Sequence, residues 1–378
     1  YPEGINIVFG PQYGVTDPLS SFFLIILSLS AVAVLIYAKG YIKPYLGRKS
    51  SAQISLHYCG LGILYLSMLL VVTLRDGFSF LFAWEVMTLS SFVLMLFDAE
   101  RREVRRAALS YLILMHVGFL FLLAGFVTLY ASGLPASFDA LALYGEQGGN
   151  IIPLFIVFLI GFGMKAGIFP LHVWLPEAHP AAPAHISAFM SGVMIKTGVY
   201  GVMRVVSCFD SHLFAIGLIV LCIGAVTGLW GVILAALQND VKKLLAYSSI
   251  ENIGIIFIAL GTALLGKAEG SDPIFYAGMA GALLHTLNHS FFKSLLFMGA
   301  GNIYTHTTSL DDLGGLGKRM PVTATLFLVG TLAICALPPL SGFVSEFLIY
   351  MGLLDGIAAN GPVTVIALSG LIFLALIG

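Results

Sequence analysis

The sequence predicts an all-α, polytopic transmembrane helix bundle of about 11 spans, built as two inverted five-helix repeats that each contain a broken helix. Three observations carry this reading. Of 378 residues, 59% are apolar and 10% are charged, against roughly 25% charged in soluble domains. The mean hydropathy is +0.99. Apolar stretches of 18 to 27 residues recur along the whole chain, and each can cross about 30 Å of hydrocarbon as a helix.

By apolar length the spans fall at 19–38, 54–74, 78–97, 107–130, 151–169, 184–206, 213–237, 244–266, 274–300, 321–354 and 361–378. If the connections alternate sides, one side holds Lys39, Lys43, Arg48, Lys49, Arg101, Arg102, Arg105, Arg106, Lys242, Lys243, Lys318 and Arg319; the other holds Arg75 and Lys267. Twelve against two is a strong positive-inside bias, so the basic loops are expected on the cytoplasmic side and the N-terminus outside. Residues 1–53 read as an outer segment and a first span, 54–206 as the first repeat and 207–378 as the second. Tyr1 is not an initiator Met and Leu371–Gly378 stops inside an apolar run, so the chain is expected to be an internal fragment; residues 1–18 lack a signal-peptide layout.

Two spans are expected to be broken. Lys165 is followed by Gly167 and Pro170, then His172–Ala178 and a loop with Pro180 and Pro183; the stretch 321–354 carries Pro338, Pro339, Ser341 and Gly342 just before Glu346. Discontinuous helices are tolerated where protein or water satisfies the freed backbone, which in transporters is the transport path. A tolerated proline kink is the blander explanation of either break. Each break lies within five residues of a charge, which favours function.

Six ionisable residues stand nearly isolated in apolar runs: Glu85, Lys165, Lys196, His289, Lys293 and Glu346. A strong charge near a helix centre costs about 2.5 to 3.5 kcal/mol. The five Lys and Glu together would therefore cost about as much as the 5 to 15 kcal/mol of a domain's net stability. Charge retained at such a cost marks an ion or proton path. Glu85 would need a cation nearby to stay ionised, and Lys165 is the candidate; a static ion pair is the alternative. Lys196 is set among Ser191, Gly192, Thr197 and Gly198, small residues that admit close helix approach and water. His285, His289 and Lys293 recur every four residues on one helical stripe, and histidine exchanges protons near neutrality. Glu346 would be the last proton holder. His172, Glu177, His179 and His185 flank the first break as a possible entry, although an interfacial loop also explains them. Arg204 reads as a snorkelling side chain.

Some chemistry has no support. Cys59, Cys208, Cys222 and Cys335 show no CxxC or CxxCH spacing, so neither a cluster nor a covalent haem is encoded; they read as core-filling thiols. LGGLGKRM lacks the first glycine and the final Ser/Thr of a phosphate-cradling loop. No cofactor, metal or nucleic-acid partner is expected.

The stretches AWEVMTLSSFVLMLFD, GMKAGIFPLHVWLPEAHPAAPAHISAFMSGVMIKTGVYGVMRV, LQNDVKKLLAYSSIENIGII, LNHSFFKSLLFMGAGNIYTHTTSLDDLGGLGKRMP and ALPPLSGFVSEF together resemble the antiporter-like membrane subunits of respiratory complex I, Mrp-type antiporters and membrane-bound hydrogenases. AHPAAPAHISAFMSGVMIK and KSLLFMGAGNIYTHTTSLDDLGGLGKRMP look most like the large membrane subunit of formate hydrogenlyase-type hydrogenases. The resemblance implies that Glu85 pairs with Lys165 of the broken helix, that Lys196 is the next lysine of a proton path, that His285, His289 and Lys293 form its central stretch, and that Glu346 is its terminal site. It implies a bacterial or archaeal cell-membrane protein that moves protons, or Na⁺, beside other membrane subunits and a peripheral redox arm, with no redox centre of its own. A Mrp-type Na⁺/H⁺ antiporter subunit is the alternative, and a structural anchor with an idle path a third reading. Relatives generally carry at least two spans before this chain's first and more after its last.

Overall fold

The computed structural model describes residues 5–6, 15–359 and 362–377; residues 1–4 and 7–14 of the expected outer segment lie outside the described residues. The chain divides into two compact units, residues 1–166 with 180–211, and residues 167–179 with 212–378. The sequence expectation put 167–179 in the first repeat. The structure groups this segment, which follows the first break, with the second unit.

In unit 1 a short antiparallel hairpin (β1, Ile5–Asn6; β2, Val15–Thr16) leads into α1 (Pro18–Tyr41). Asp17 caps α1 by accepting from the Ser20 backbone N–H, with Pro18 at the first helical position, where its missing donor costs nothing. Next come α2 (Ser51–Thr73), α3 (Gly77–Met95), α4 (Arg102–Ala131), the short α5 (Ala140–Glu146) and α6 (Ile151–Ala166). A reciprocal Ser50–Gln53 capping box starts α2 and Asp76 caps α3, each satisfying donors that a helix start leaves open. Gly167, at φ +80°, ends α6 in the left-handed conformation that glycine adopts at little cost. After α7 (Leu175–Ala181), Pro183 opens α8 (Ala184–Phe189), which runs through a π-turn (Met190–Met194) into α9 (Ile195–Ser207). This rod is fully buried across its apolar window and is the core of unit 1. It packs on α1 and α6, while α2 packs on α3 and α4 on α6.

Unit 2 contains α10 (Leu213–Ala236), α11 (Val241–Ala268), α12 (Asp272–Ile303), the one-turn α13 (Leu316–Arg319), α14 (Pro321–Ile334), α15 (Ser341–Ala358) and α16 (Pro362–Ile377). The central helix α11 is buried for almost its whole length and packs on α10 and α12. Glycine makes the α10–α11 approach possible: a Cβ on Gly254 would collide with the Gly228 backbone, the close small-residue packing that replaces hydrophobic drive between membrane helices.

Among the described residues, eight helices are long and apolar enough to cross a membrane, and three more, α6, α14 and α16, are apolar but shorter. The single span drawn at 321–354 is two helices, because the chain leaves helical geometry between Ile334 and Ser341; Ala336 takes φ +48° and Pro338–Pro339 is cis. The 32-residue α12 is long enough to cross but less apolar than these helices, since it carries the histidine–lysine stripe. The cysteines are free thiols, and Cys59, Cys222 and Cys335 are exposed rather than core-filling. On a face that meets hydrocarbon a thiol behaves as a small apolar group. Ile25, Ile36, Leu66, Ile113 and Leu120 share that kind of exposed surface.

Candidate functional site

In unit 1, Lys165 occupies the last turn of α6 and is 1% exposed. Its ammonium donates to Thr88 Oγ1 and to the Tyr111 hydroxyl, both at 3.1 Å, and lies 5.6 and 5.4 Å from the Trp84 and Tyr111 ring centroids. The Tyr111 hydroxyl in turn meets Ser91 Oγ at 2.6 Å and donates to Met194 Sδ of the π-turn at 3.7 Å. The lysine therefore sits in a cage of neutral hydroxyls and aromatic faces. Glu85, one turn before Thr88 on α3, meets His116 of α4, with its Oε2 3.4 Å from the His116 Nε2. Among the described residues no Glu85–Lys165 contact closes within 4.0 Å. The direct pair expected from the sequence is thus replaced by a carboxylate that senses the lysine's charge through space. The reason is local: the short Thr88 side chain and Tyr111 reach the ammonium first.

Lys196 lies at the end of the π-turn, 1% exposed, with its ammonium 2.5 Å from the Ser191 carbonyl. Such widened turns recur at functional positions because they rearrange the backbone hydrogen-bond ladder. Near the start of the same rod, His185 meets His57 of α2 at 2.7 Å between Nε2 atoms, both rings being buried.

In unit 2, Lys293 is fully buried, donating to the Leu245 carbonyl at 3.0 Å and to Ser248 Oγ at 2.5 Å. Glu251 stands one turn beyond Ser248 on α11 and interacts with the Lys293 charge through space, again with no contact inside 4.0 Å among the described residues. Glu251, Ser248 and Glu346 line one cavity of about 510 Å³ whose remaining wall is largely apolar. His285 bridges helices: Nδ1 lies 3.0 Å from Ser345 Oγ and Nε2 lies 3.1 Å from Asn252 Oδ1. Asn288 donates to the Ser341 carbonyl at 2.6 Å, which supplies a partner for backbone exposed at the second break. His289 is buried, its ring 5.4 Å from that of Phe292.

Of the expected entry residues, His172 and His179 are buried and stack on Phe169 and Phe297 within unit 2, Glu177 of that segment is exposed, and His185 belongs to unit 1. The sequence reading missed His57, Thr88, Tyr111, His116, Ser248 and Glu251. Glu251 was available to it: the glutamate lies inside the run 244–266, as isolated there as Glu85 is in its own span. Arg204 is also not a snorkelling residue, being 3% exposed and bonded to Asp17. Among the described residues no three His, Cys, Asp or Glu side chains converge as a metal site.

In both units of a helical membrane domain a buried lysine thus donates to a hydroxyl on a neighbouring helix that carries a carboxylate one turn from that hydroxyl. The family described as NADH:quinone oxidoreductase/Mrp antiporter, TM matches residues 75–374. The chain belongs to this family. It is 36% identical over 365 residues to hydrogenase-4 component B of Escherichia coli (strain K12), covering 93% of this chain and 54% of that protein. It is 41% identical over 199 residues to formate hydrogenlyase subunit 3 of the same strain, covering 52% of this chain and 33% of that protein. Among solved structures, the membrane-bound sulfane sulfur reductase, an archaeal respiratory membrane complex, contains a chain that aligns with a TM-score of 0.81 at 29% identity, over 99% of this chain and 59% of that one. The chain therefore spans about half the length of hydrogenase-4 component B. The resemblance read from the sequence and the family found by comparison agree.

Proposed function

We propose that this chain is part of a proton-translocating, antiporter-like membrane subunit of a redox-driven complex of the hydrogenase type, sitting in a bacterial or archaeal cell membrane with its basic loops inside. Its partners would be other membrane subunits and a peripheral redox arm. One observation carries the reading: Lys165 and Lys293 are each held by neutral oxygens, with a carboxylate one turn away and out of contact. A lysine locked to a carboxylate is a permanent ion pair. One held by hydroxyls can lose its proton when the nearby carboxylate moves away or is neutralised, and regain it when the carboxylate approaches.

In this mechanism, charge rearrangement driven from the redox arm shifts Glu85 relative to Lys165 in unit 1, and Lys196 takes or gives a proton on the same rod that touches the Lys165 cage. In unit 2 the His285–His289–Lys293 stripe carries protons past Glu251 to Glu346. Moving one proton against 100 mV requires about 2.3 kcal/mol, a size that making or breaking one buried contact supplies. The test is proton pumping in membrane vesicles holding the full-length complex, with Glu85→Ala and Lys196→Ala. Pumping should collapse in both while the redox arm still reduces an artificial acceptor. Undiminished pumping in both variants defeats the proposal.

A further inference from the structure

Lys196, Tyr200 and Arg204 recur every four residues, so they share one stripe of α9 that runs from the middle of unit 1 to the end where the hairpin enters α1. Along that stripe each group is tied down. The Tyr200 hydroxyl donates to the Val72 carbonyl at 2.9 Å and accepts from Arg204 Nε at 3.2 Å. Arg204 grips Asp17 with both terminal nitrogens, at 2.5 and 2.9 Å, and also donates to Ser20 Oγ at 3.0 Å. Arg75 donates to the same Asp17 carboxylate at 2.7 Å and to Asp139 at 3.0 Å. The Ser20 backbone N–H completes the set on Asp17.

We propose that this Arg204–Asp17–Arg75 clasp is a proton seal, which closes the hairpin end of unit 1 so that a proton at Lys196 cannot leave straight along α9. The inference rests on the transport reading above. Two features make a seal rather than a relay. A guanidinium keeps its proton at any physiological pH, so neither arginine can pass one on. Arg204 is the member of the clasp that stands on the stripe itself, so a fixed positive group blocks it even though Asp17 and Asp139 balance the two guanidiniums, and fixed arginines exclude protons and cations from membrane pores in this way. The bidentate grip also holds the charge still, since Arg–carboxylate forks fix orientation as well as distance. By the topology proposed above this end faces outside, the side from which a leak would dissipate the gradient.

The experiment measures passive proton influx into proteoliposomes of the full-length complex under an imposed membrane potential, with driven pumping followed in the same vesicles. Arg204→Gln should raise passive influx several-fold. Asp17→Asn, which breaks the grip but keeps both arginines, should leave influx at the wild-type level while lowering the thermal midpoint. Should Arg204→Gln assemble poorly, the double variant Asp17→Asn with Arg204→Gln removes the charge and leaves a neutral hydrogen-bonding pair, and it should leak as well. Wild-type influx in the variants lacking Arg204, or equal influx in Asp17→Asn and Arg204→Gln, would make the clasp a structural staple and overturn the seal. Absence of driven pumping in the wild type is a separate outcome that instead removes the transport reading on which the seal rests.

Discussion

The lysine sites of the two units use the same parts in different electrostatic settings. In unit 1, Lys165 bonds Thr88, and Glu85 three residues earlier on that helix is paired with a half-exposed imidazole, His116. In unit 2, Lys293 bonds Ser248, and Glu251 three residues later shares its cavity with a second carboxylate, Glu346. A protonated imidazole favours the charged form of a neighbouring carboxylate, whereas a second carboxylate disfavours two negative charges together. Unit 1 thus sets an imidazole beside its glutamate, and unit 2 sets a second carboxylate in the cavity of its glutamate. The same lysine chemistry is thus set against two different partners of the glutamate.

The largest effect should come from changing lysine to arginine in either unit. Lys165→Arg and Lys293→Arg keep the positive charge but remove the ability to deprotonate. If protons pass through the lysines, both variants lose pumping almost completely, in vesicles that still contain the assembled complex by gel analysis. Retained pumping in one variant would break the comparison at that unit, because its lysine would then act as a fixed charge.

Next in size is the carboxylate contrast. Glu85→Gln leaves unit 1 with no second carboxylate at the lysine, while Glu251→Gln leaves Glu346 in the same cavity. Pumping should therefore fall further in Glu85→Gln than in Glu251→Gln, and the double variant Glu251→Gln with Glu346→Gln should fall to the Glu85→Gln level. The reverse order would show that the two cavity carboxylates do not substitute for each other. Smaller again is removal of the hydroxyl that holds each lysine. Thr88→Val and Ser248→Ala each leave a buried donor short of one acceptor, at about 1 to 3 kcal/mol. The two changes should be similar in size, since each lysine keeps a second acceptor, the Tyr111 hydroxyl for Lys165 and the Leu245 carbonyl for Lys293, and relative melting temperatures of the two variants check this.

How much of this was legible in the sequence follows from what each signal depends on. Apolar length located the helices because a bilayer imposes length on every span. The breaks were legible because glycine and proline act on their own neighbours. Lys165, Lys196 and Lys293 stood out as charges in apolar runs, and all three are buried. What could not be read was which group each lysine touches. Thr88, Tyr111 and Ser248 are ordinary residues in their own helices, and they gain meaning when α6 or α12 brings an ammonium to them. His57 and His185 are 128 residues apart, and no local pattern links them. Arg204 was misread because its position near a helix end fits snorkelling, while the partner that buries it, Asp17, lies 187 residues away. Glu251 differs from these, since it stands within the apolar run 244–266 and its isolation is legible without any partner.

The smallest effect expected is a pH dependence that sets the clasp apart from both lysine sites. Burial alone would push the Asp17 carboxyl up. Its hydrogen bonds to Arg204 and to the Ser20 N–H, with the charges of Arg204 and Arg75, outweigh that and hold it well below the ordinary carboxylate value of 3.8. A group whose folded value is lowered stabilises the fold fully above its unfolded value, and that contribution is lost as pH falls through the folded one. The melting-temperature gap between wild type and Asp17→Asn should therefore stay constant from about pH 8 down to about pH 5 and begin to narrow below about pH 4. A gap that already narrows between pH 7 and 6 would mean that Asp17 takes up protons in the working range. The hairpin end of unit 1 would then exchange protons as the lysine sites are proposed to do, instead of holding a fixed charge.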